Sequence, residues 1–333
     1  MSRAAHRRQS HGLHIFLTVI LVILTACVVV KAFFLKAPEQ KAAELPASQP
    51  AEEENSPSDE EQAAQEALLS HLERKGGFYT ILVSGVDDGN GGSDTNILVA
   101  VDTVNGYVYG VSIPRDSKAI IDGKAHKINY AYNKGGTKLL ADTISEQLGI
   151  PVDYTVCVNL QGFTALVDAI GGVDFEVPIN MDYDDPIQGL SIHFKKGMQH
   201  LSGADALRVV RFRHNNDGTG YGSEDLGRMQ TQQKFLKAVA KKMLSFENLI
   251  SNPRKYAEIF GQYVDTDLSV TDLAWFGMQV LGMGVDKIDF STLPNEWKYP
   301  YIYLDPDETL ALVNTYLNPY VEDRTAEDLN LPG

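Results

Sequence analysis

Two aspartates frame a glycine-rich loop, DDGNGGSDT, at residues 87–95. The apolar, β-branched runs on either side, 79–86 and 96–102, have the composition of strands. Asp87 therefore lies at the end of one predicted strand, and Asp94 lies just before the next. Two carboxylates joined by such a loop can share one hard cation, for example Mg²⁺. An ordinary turn built from Asp, Asn and Gly is the alternative.

Arginine is concentrated in one short part of the chain. Its planar guanidinium binds phosphate oxygens in pairs, and four arginines lie within 206–228, namely Arg208, Arg211, Arg213 and Arg228. Arg115 follows a third predicted strand, 107–113, and strand ends line ligand crevices in open α/β sheets. The pattern predicts an anion site that faces the metal site. A solvated helix end and, for Arg115, a surface pair with a neighbouring aspartate are the alternatives.

A metal ion beside several arginines is typical of proteins that bind or transfer a phosphoryl group, because both stabilise charge on phosphate oxygens. The sequence contains no Walker A motif, kinase signature or Gly-x-Ser-x-Gly elbow. Its 29 Lys and Arg against 44 Asp and Glu give a net charge of −15, which disfavours nucleic acid as a partner. Its two cysteines exclude a disulfide-dense scaffold and a Cys-rich zinc module.

The elements that must position these residues are mixed strands and helices. Apolar runs predict further strands at 154–159, 173–177, 190–194, 288–293 and 301–304. Apolar residues at helical spacing predict helices at 137–148, 163–170, 204–212, 228–244, 252–262, 273–281 and 306–317. The short strands 173–177 and 190–194 suggest a hairpin. The mixture predicts an α/β fold, with a sheet covered by helices on both faces.

The N-terminal segment has the pattern of a transmembrane anchor. Residues 13–35 are almost wholly apolar and long enough to span a bilayer. Three arginines within 1–12 place the N-terminus in the cytoplasm and the rest of the chain outside. A cleaved signal peptide is one alternative. A lipoprotein box at 24–27 is another, although the apolar run continues beyond Cys27.

Residues 36–75 are predicted to be an acidic linker that ends in a spacer helix. Nine acidic residues and one lysine occupy 37–66, and most of this stretch buries too little surface to fold. A capping box at Ser58 and Glu61, followed by leucines, predicts a helix over 59–75.

Beyond residue 75 the sequence resembles the LytR-CpsA-Psr family. The resemblance rests on motifs in the family's order: ILVSGVD at 81–87, SDT at 93–95, SIPRD at 112–116, KINYAY at 127–132, GF at 162–163, DAIGGVD at 168–174, GMQHLSG at 197–203, VRFR at 210–213 and DLGR at 225–228. It implies a catalytic domain over 76–245, with a C-terminal part, 246–333, packed on the same domain. The implied fold is an α-β-α sandwich with a central mixed β-sheet, preceded by the transmembrane helix.

The resemblance implies an enzyme of the Gram-positive cell envelope. Such an enzyme transfers an anionic glycopolymer, wall teichoic acid or capsular polysaccharide, from undecaprenyl pyrophosphate to a muramic-acid hydroxyl of peptidoglycan, with Mg²⁺ or Mn²⁺. It would be a single-pass protein of the cell membrane with an extracellular catalytic domain. A non-catalytic polyprenyl-phosphate scaffold and a polyprenyl pyrophosphatase are the alternatives. A transcriptional regulator is disfavoured, because an exported acidic domain has no basic helix for DNA.

The same resemblance assigns roles to the candidate residues. The metal would be held by Asp87 and Asp94. The pyrophosphate would be bound by Arg115, Arg211, Arg213, Arg228 and Gln232. The catalytic residues would be Arg115, Asp225 and Arg228, with the aspartate either orienting Arg228 or acting as a base.

Two further features of the predicted helix 228–244 bear on the site. Where the family often has a second arginine, this chain has Thr231, which would reduce the positive charge by one. An apolar stripe on the same helix would line a tunnel for the lipid, through Phe235, Val239 and Met243. Plain hydrophobic core is the alternative for this stripe.

Overall fold

The computed structural model describes residues 36–41, 72–86, 92–187, 189–221, 224–243 and 253–333. Asp87, the predicted membrane segment 13–35 and most of the predicted linker lie outside these residues. No helix among the described residues is both long and apolar enough to cross a membrane. The chain divides into two compact units, residues 1–39 with 268–278, and residues 40–267 with 279–333.

The elements follow one another in a mixed order. The strands are β1 (Phe78–Val86), β2 (Ser93–Asp102), β3 (Tyr107–Ile113), β4 (Lys118–Ile121), β5 (Lys124–Lys127), β6 (Tyr154–Asn159), β7 (Val173–Val177), β8 (Met181–Asp185), β9 (Leu190–Phe194), β10 (Gly197–Leu201), β11 (Val264–Thr266), β12 (Ile288–Thr292), β13 (Asn295–Lys298) and β14 (Tyr301–Leu304). The helices are α1 (Asn129–Leu148), α2 (Leu160–Ala169), α3 (Gly203–Arg211), α4 (Glu224–Met243), α5 (Pro253–Tyr263), α6 (Val270–Met283) and α7 (Pro306–Leu312). A 3₁₀ turn, Val285–Lys287, precedes β12, and a π-helical turn, Val313–Leu317, follows α7.

The central sheet has six strands in the order β11-β6-β1-β2-β3-β12. β1, β2 and β3 are antiparallel neighbours, whereas β6 runs parallel to β1 and β12 runs parallel to β3. The α/β fold with a central mixed sheet is therefore confirmed. β11 and β12 come from the C-terminal part of the chain, which thus completes both edges of this sheet.

The register brings several strand ends together at one end of the sheet. Val86, the last residue of β1, lies opposite Ser93 on one side and Asn159 on the other. Ser112, near the end of β3, lies opposite Thr292 at the end of β12. We refer to this end as the site end, because the predicted metal loop and the arginine after β3 both lie there.

Two hydrophobic clusters hold these elements. The first lies between α1 and one face of the sheet, and its fully buried members include Leu82, Leu98, Val111, Leu140 and Ile144. The second packs α2, α3 and α4 against β7 to β10, and includes Val167, Phe175, Val209, Phe212 and Phe235. The first cluster fixes the sheet, and the second fixes the two helices that carry the clustered arginines.

α1 begins at Asn129, before the start that the sequence predicts at residue 137. Gly135 and Gly136 interrupt it, and Gly136 has φ 65° and ψ −161°, a conformation that residues with a Cβ rarely adopt. The predicted helix is the part after this break. The earlier part was missed because two consecutive glycines normally mark the end of a helix rather than its middle.

The predicted hairpin between 173–177 and 190–194 is wrong. β7 pairs with β10, and β9 pairs with β8, a strand that the sequence did not predict. β8 has the sequence MDYDD, and its one buried residue is Met181. Its three aspartates are the reason that the strand was not predicted, because strand prediction depends on apolar and β-branched residues.

The spacer helix predicted over 59–75 is wrong for its described part. Residues 72–77 form turns, and Arg74 makes an isolated antiparallel bridge with Tyr320. The guanidinium of Arg74 bonds the fully buried carboxylate of Asp153, with Nη2 and Oδ2 2.8 Å apart. This tertiary contact holds the backbone in a non-helical path.

Candidate functional site

Asp94 and Arg115 form an ion pair at the site end of the sheet. Asp94 is the second residue of β2, and Arg115 follows β3 directly after Pro114, which ends the strand. The side chains are 39% and 38% exposed, respectively, so a ligand can reach both. The alternative pair of Arg115 with Asp116 does not form, since Asp116 pairs with Lys127 at 3.0 Å. The structure thus joins a predicted metal ligand to a predicted phosphate ligand.

Buried polar groups without a partner lie beside Asp94. Asn96, two residues along β2, and Ser84, its neighbour on β1, are fully buried, as is Ser93. Neither serine hydroxyl, nor either amide atom of Asn96, has a hydrogen-bond partner among the described residues. Buried polar groups in proteins normally bond to protein, water or ligand. The interior next to Asp94 is therefore suited to a polar ligand or to ordered water.

The described residues supply one carboxylate of the predicted metal pair, Asp94. Within this part of the chain, no group of three or more His, Cys, Asp or Glu side chains could hold a metal ion. Mg²⁺ is often held by one or two carboxylates, while substrate phosphates and waters fill its other positions. Asp94 and the unpartnered oxygens beside it fit that manner of binding, although a bound ion would compete with Arg115 for the carboxylate.

The end of α3 presents two arginines on either side of a buried phenylalanine. Arg211 is half-buried and ends the helix, Phe212 is 1% exposed, and Arg213 is exposed. The backbone becomes extended at Phe212, so its ring anchors the segment while the arginines flank it. Arg208 is engaged within α3 itself, where its guanidinium bonds Asp205 at 2.9 Å.

α4 carries the next arginine and is tied to the end of α3. The side-chain amide of Gln232 donates to the carbonyl of Val210 at 2.9 Å, immediately before Arg211. Arg228 lies about one helical turn before Gln232 on the same face of α4. Gln232, predicted to contact a phosphate, thus uses its amide nitrogen to hold the two arginine-bearing segments side by side.

Tyr221 packs the loop after Arg213 against the start of α4. A Cβ on Gly227 would lie 2.3 Å from the Cβ of Tyr221, so a larger residue does not fit there. Burial raises the pKa of the Tyr221 phenol, and the positive charge of Arg228 opposes this shift. Thr231, at the position of the family's second arginine, is 3% exposed and donates to the carbonyl of Gly227 at 2.8 Å. The hydroxyl of Thr231 is therefore used in a hydrogen bond within α4.

Two contacts orient α4 along β12. Gln233 donates to the hydroxyl of Thr292 at 3.1 Å, and Lys237, one turn later, pairs with Asp289 at 2.9 Å. The helix therefore runs opposite to the strand, and its N-terminal half extends beyond the end of β12. This orientation directs Arg228 toward the site end, where Arg115 lies.

Some of these contacts had no signal in the sequence. Gln233 looks no different from Gln230 and Gln232, and only packing makes it the residue that reaches β12. Asn96, by contrast, interrupts an apolar strand, and such a polar residue in a buried run is a signal that sequence reasoning missed. The backbone of Asp225 belongs to the first turn of α4, while its side chain lies outside the described part.

The predicted lipid-binding stripe lies in the second hydrophobic cluster. Phe235 is fully buried and Val239 is 7% exposed, whereas Met243 is partly buried against the cluster. The ring of Phe235 makes an edge contact with Phe175 at 5.2 Å and a tilted one with Phe163 at 6.0 Å. In this structure the stripe therefore fills core.

Another apolar surface is less completely covered. Side chains alternate along strands, so the sheet face opposite α1 carries Val83, Val99, Val156 and Val158. All four are partly exposed, although they belong to the central strands β1, β2 and β6. This face therefore leaves part of its apolar surface exposed.

Known proteins share both the sequence and the fold. The regulatory protein MsrR of Staphylococcus aureus is 31% identical over 257 residues, which are 76% of this chain and 76% of MsrR. The teichoic acid transferase TagU of Bacillus cereus is 39% identical over 177 residues, 52% of this chain and 55% of TagU. The crystal structure of B. subtilis TagV superposes with a TM-score of 0.60 and 29% identity, and the match covers 72% of this chain and 96% of the crystallised TagV chain.

A family model matches most of the chain. The LytR_cpsA_psr family model matches residues 41–317, a range that includes the central sheet, the Asp94–Arg115 pair and the arginines of α3 and α4. It also includes β11 and β12, so the C-terminal part is not an addition to the family's fold. The chain belongs to the LytR-CpsA-Psr family.

Proposed function

We propose that this protein transfers an anionic glycopolymer from a polyprenyl pyrophosphate carrier to peptidoglycan. The observation that carries the proposal is the Asp94–Arg115 pair at the site end, toward which α4 directs Arg228. TagU and TagV are named as polyisoprenyl-teichoic acid–peptidoglycan teichoic acid transferases, and their membership of one family with this chain supports the same reaction class.

In the proposed reaction, an acceptor hydroxyl oxygen forms a bond to the glycan-linked phosphorus while the bridging P–O bond of the pyrophosphate breaks. The glycan becomes attached through a phosphodiester, and polyprenyl monophosphate leaves. The hydroxyl proton passes to a base, for which Asp225 is the candidate. Negative charge grows on the leaving oxygen, and the guanidinium groups of Arg115, Arg211, Arg213 and Arg228 would stabilise it.

A divalent cation, Mg²⁺ or Mn²⁺, would add Lewis-acid stabilisation of the same oxygens when bound. Asp94, with Asp87, would hold it, and the unpartnered polar groups of Ser84 and Asn96 would support ordered water around it. Because Arg115 already neutralises Asp94, cation and pyrophosphate would bind together, the cation taking the carboxylate and the anion taking the guanidinium.

The prenyl chain would lie along the sheet face opposite α1. Val83, Val99, Val156 and Val158 supply apolar surface that the domain leaves partly exposed. A pyrophosphate at the site end and a lipid on this face would be contiguous, since β1 and β6 end there and β2 begins there. The segment 13–35 would anchor the chain in the cell membrane, with the domain outside.

The test is a reconstituted transfer assay. Purified full-length protein, polyprenyl-pyrophosphate-linked glycan, peptidoglycan and Mg²⁺ are combined, and covalent attachment of glycan to peptidoglycan is measured. The double variant Arg213→Ala with Arg228→Ala should lower the rate by about a hundredfold or more, the scale for lost oxyanion donors. The matched control is Arg208→Ala, because this arginine is engaged with Asp205.

The alternatives have distinct outcomes in the same assay. Binding of the lipid-linked glycan without turnover would identify a scaffold. Release of glycan phosphate into water without attachment would identify a pyrophosphatase. Unchanged attachment in the double variant would refute the assigned site.

A further inference from the structure

Gln40 and Lys41 are fastened to the domain far from the site. The side chain of Gln40 donates to the carbonyl of Lys75 at 2.9 Å, and the backbone N–H of Lys41 donates to Asp153 at 2.9 Å. The Lys41 ammonium donates to the carbonyl of Val152 at 3.1 Å. These residues surround the start of β1, at the opposite end of the sheet from Arg115.

A buried ion pair anchors this attachment. Asp153 is fully buried and receives the guanidinium of Arg74, and its Oδ2 also accepts from the backbone N–H of Thr80 at 2.9 Å. The same guanidinium donates to the carbonyl of Lys41 at 2.7 Å. A buried carboxylate is costly unless each oxygen is satisfied, and Lys41 supplies one of the bonds that satisfy Asp153. We name Gln40, Lys41, Arg74 and Asp153 the clamp.

The clamp brings the two ends of the range 42–71 together. Lys41 comes immediately before this range, and Arg74 lies three residues after it. Because Arg74 bonds Lys41 directly, the chain that leaves the domain at residue 41 returns to the same place. The thirty residues 42–71 therefore add nothing to the reach between the domain and whatever precedes residue 36.

Only five residues, 36–40, separate the apolar segment 13–35 from the clamp. Fully extended, they span at most about 18 Å. A free linker over 36–75 would instead span up to about 130 Å. With the clamp closed, the domain therefore lies close to the bilayer. With the clamp open, the domain can lie at a distance from it.

Two apolar side chains are exposed near the clamp. Val104, in the turn after β2, is 74% exposed, and Val321 is 57% exposed. The turn and Val321 are hydrogen-bonded to the segment that Gln40 binds, through Thr103 to Gly77 and through Val321 to Glu73. Two exposed apolar side chains therefore flank the place where the chain leaves toward the apolar segment.

We infer that the clamp holds this end of the domain against the lipid headgroups. Residues 42–71 then do not act as a spacer between the membrane and the domain. The inference rests on the proposed membrane anchor and not on the transfer reaction. The site end then faces away from the bilayer, toward the wall. A clamped domain can serve acceptors only within a fixed distance of the membrane.

The experiment compares two insertions of the same length. A Gly-Ser stretch of about twenty residues, with an r.m.s. span of about 25 Å, is placed either between residues 35 and 36 or between residues 50 and 51. A fluorophore at Val104→Cys, in a Cys27→Ser background, reports energy transfer to a headgroup-labelled lipid. The full-length chain is reconstituted in phosphatidylcholine vesicles with a minority of phosphatidylglycerol. The remaining thiol, Cys157, is buried.

The first insertion should lower energy transfer about twofold or more, and the second should leave it unchanged. In a Gln40→Ala, Lys41→Pro background, which removes the four hydrogen bonds that these two residues donate, both insertions should lower energy transfer equally. Equal effects in the unaltered background would overturn the clamp. Failure of the chain to float with the vesicles would overturn the membrane anchor on which the inference rests. Transfer activity does not enter either readout, so its loss cannot be mistaken for failure of the clamp.

Discussion

The Asp94–Arg115 ion pair is too exposed to matter for stability. Pairs of this kind contribute about 0–1 kcal/mol, and each partner here is more than one third exposed. In the proposed function their value would lie in competition, because the carboxylate would occupy the guanidinium until an anion took its place. Each residue of the pair would then set the ligand affinity of the other.

This competition gives two substitutions opposite effects. In EDTA, Arg115→Ala should weaken binding of inorganic pyrophosphate about tenfold, because one charged hydrogen bond is lost. Asp94→Asn should strengthen it severalfold, because Arg115 loses its competitor. Isothermal titration calorimetry measures both affinities, and Arg208→Ala serves as control. A loss of affinity in both variants would contradict the competition.

At the scale of single residues, the sequence predicted which residues form the candidate site better than it predicted the contacts they make. Asp94 and Arg115 were predictable because strand ends are marked by Asp, Gly and Pro around apolar runs. The hydrogen bond of Gln232 to Val210 was not predictable, because it depends on how α4 packs on α3. The predicted roles of Phe235 and Val239 rested on periodicity alone, which does not separate a lipid-lining stripe from a core stripe.

Among the elements, the central strands were predicted almost to the residue. β3 and β6 begin and end where their apolar runs do, because their β-branched and aromatic residues favour strands. β8 was missed because it is acidic, and the start of α1 because two glycines interrupt the helix. These elements are held by tertiary contacts that local composition does not reveal.

α2 depends on a cap at the site end of the sheet. The side chain of Asn159, the last residue of β6, accepts from the N–H of Gly162 at 2.7 Å. Asn159→Ala should lower the free energy of unfolding by about 1 kcal/mol, and Asn159→Ser should restore most of it, because serine also caps. Urea denaturation measures the difference. Equal stability of all three proteins would show that the cap is not needed.

At the scale of the whole molecule, net charge alone misrepresents the site. The chain carries −15, yet its arginines concentrate near the position proposed for an anionic donor. The C-terminal part has no motif that the sequence could link to function, and its described part contributes to the architecture. It supplies two strands of the central sheet and a terminal segment that returns to α1, where Asn330 donates to the carbonyl of Gln147 at 3.1 Å.

Removal of this terminal segment should destabilise the domain. Arg324 is 9% exposed and its guanidinium pairs with Asp328. Its backbone N–H donates to Oδ1 of Asn314 at 2.7 Å. Deletion of 324–333 should lower the free energy of unfolding by about 3 kcal/mol or more, because several buried polar groups lose their partners. Deletion of 331–333 alone, which removes an exposed contact of Lys118, should cost less than about 1 kcal/mol. Similar melting temperatures for both deletions would refute this role.

The pairing of β3 with β12 also determines the order in which the domain can fold. β3 ends at Ile113, and its partner begins at Ile288, so one edge of the central sheet has no neighbour until nearly the whole chain has emerged. An unpaired strand edge is a template for aggregation, and contacts between such distant segments form slowly. For a chain exported as proposed, folding must follow translocation. Chaperones that shield the edge of β3 during that interval would raise the yield of native protein.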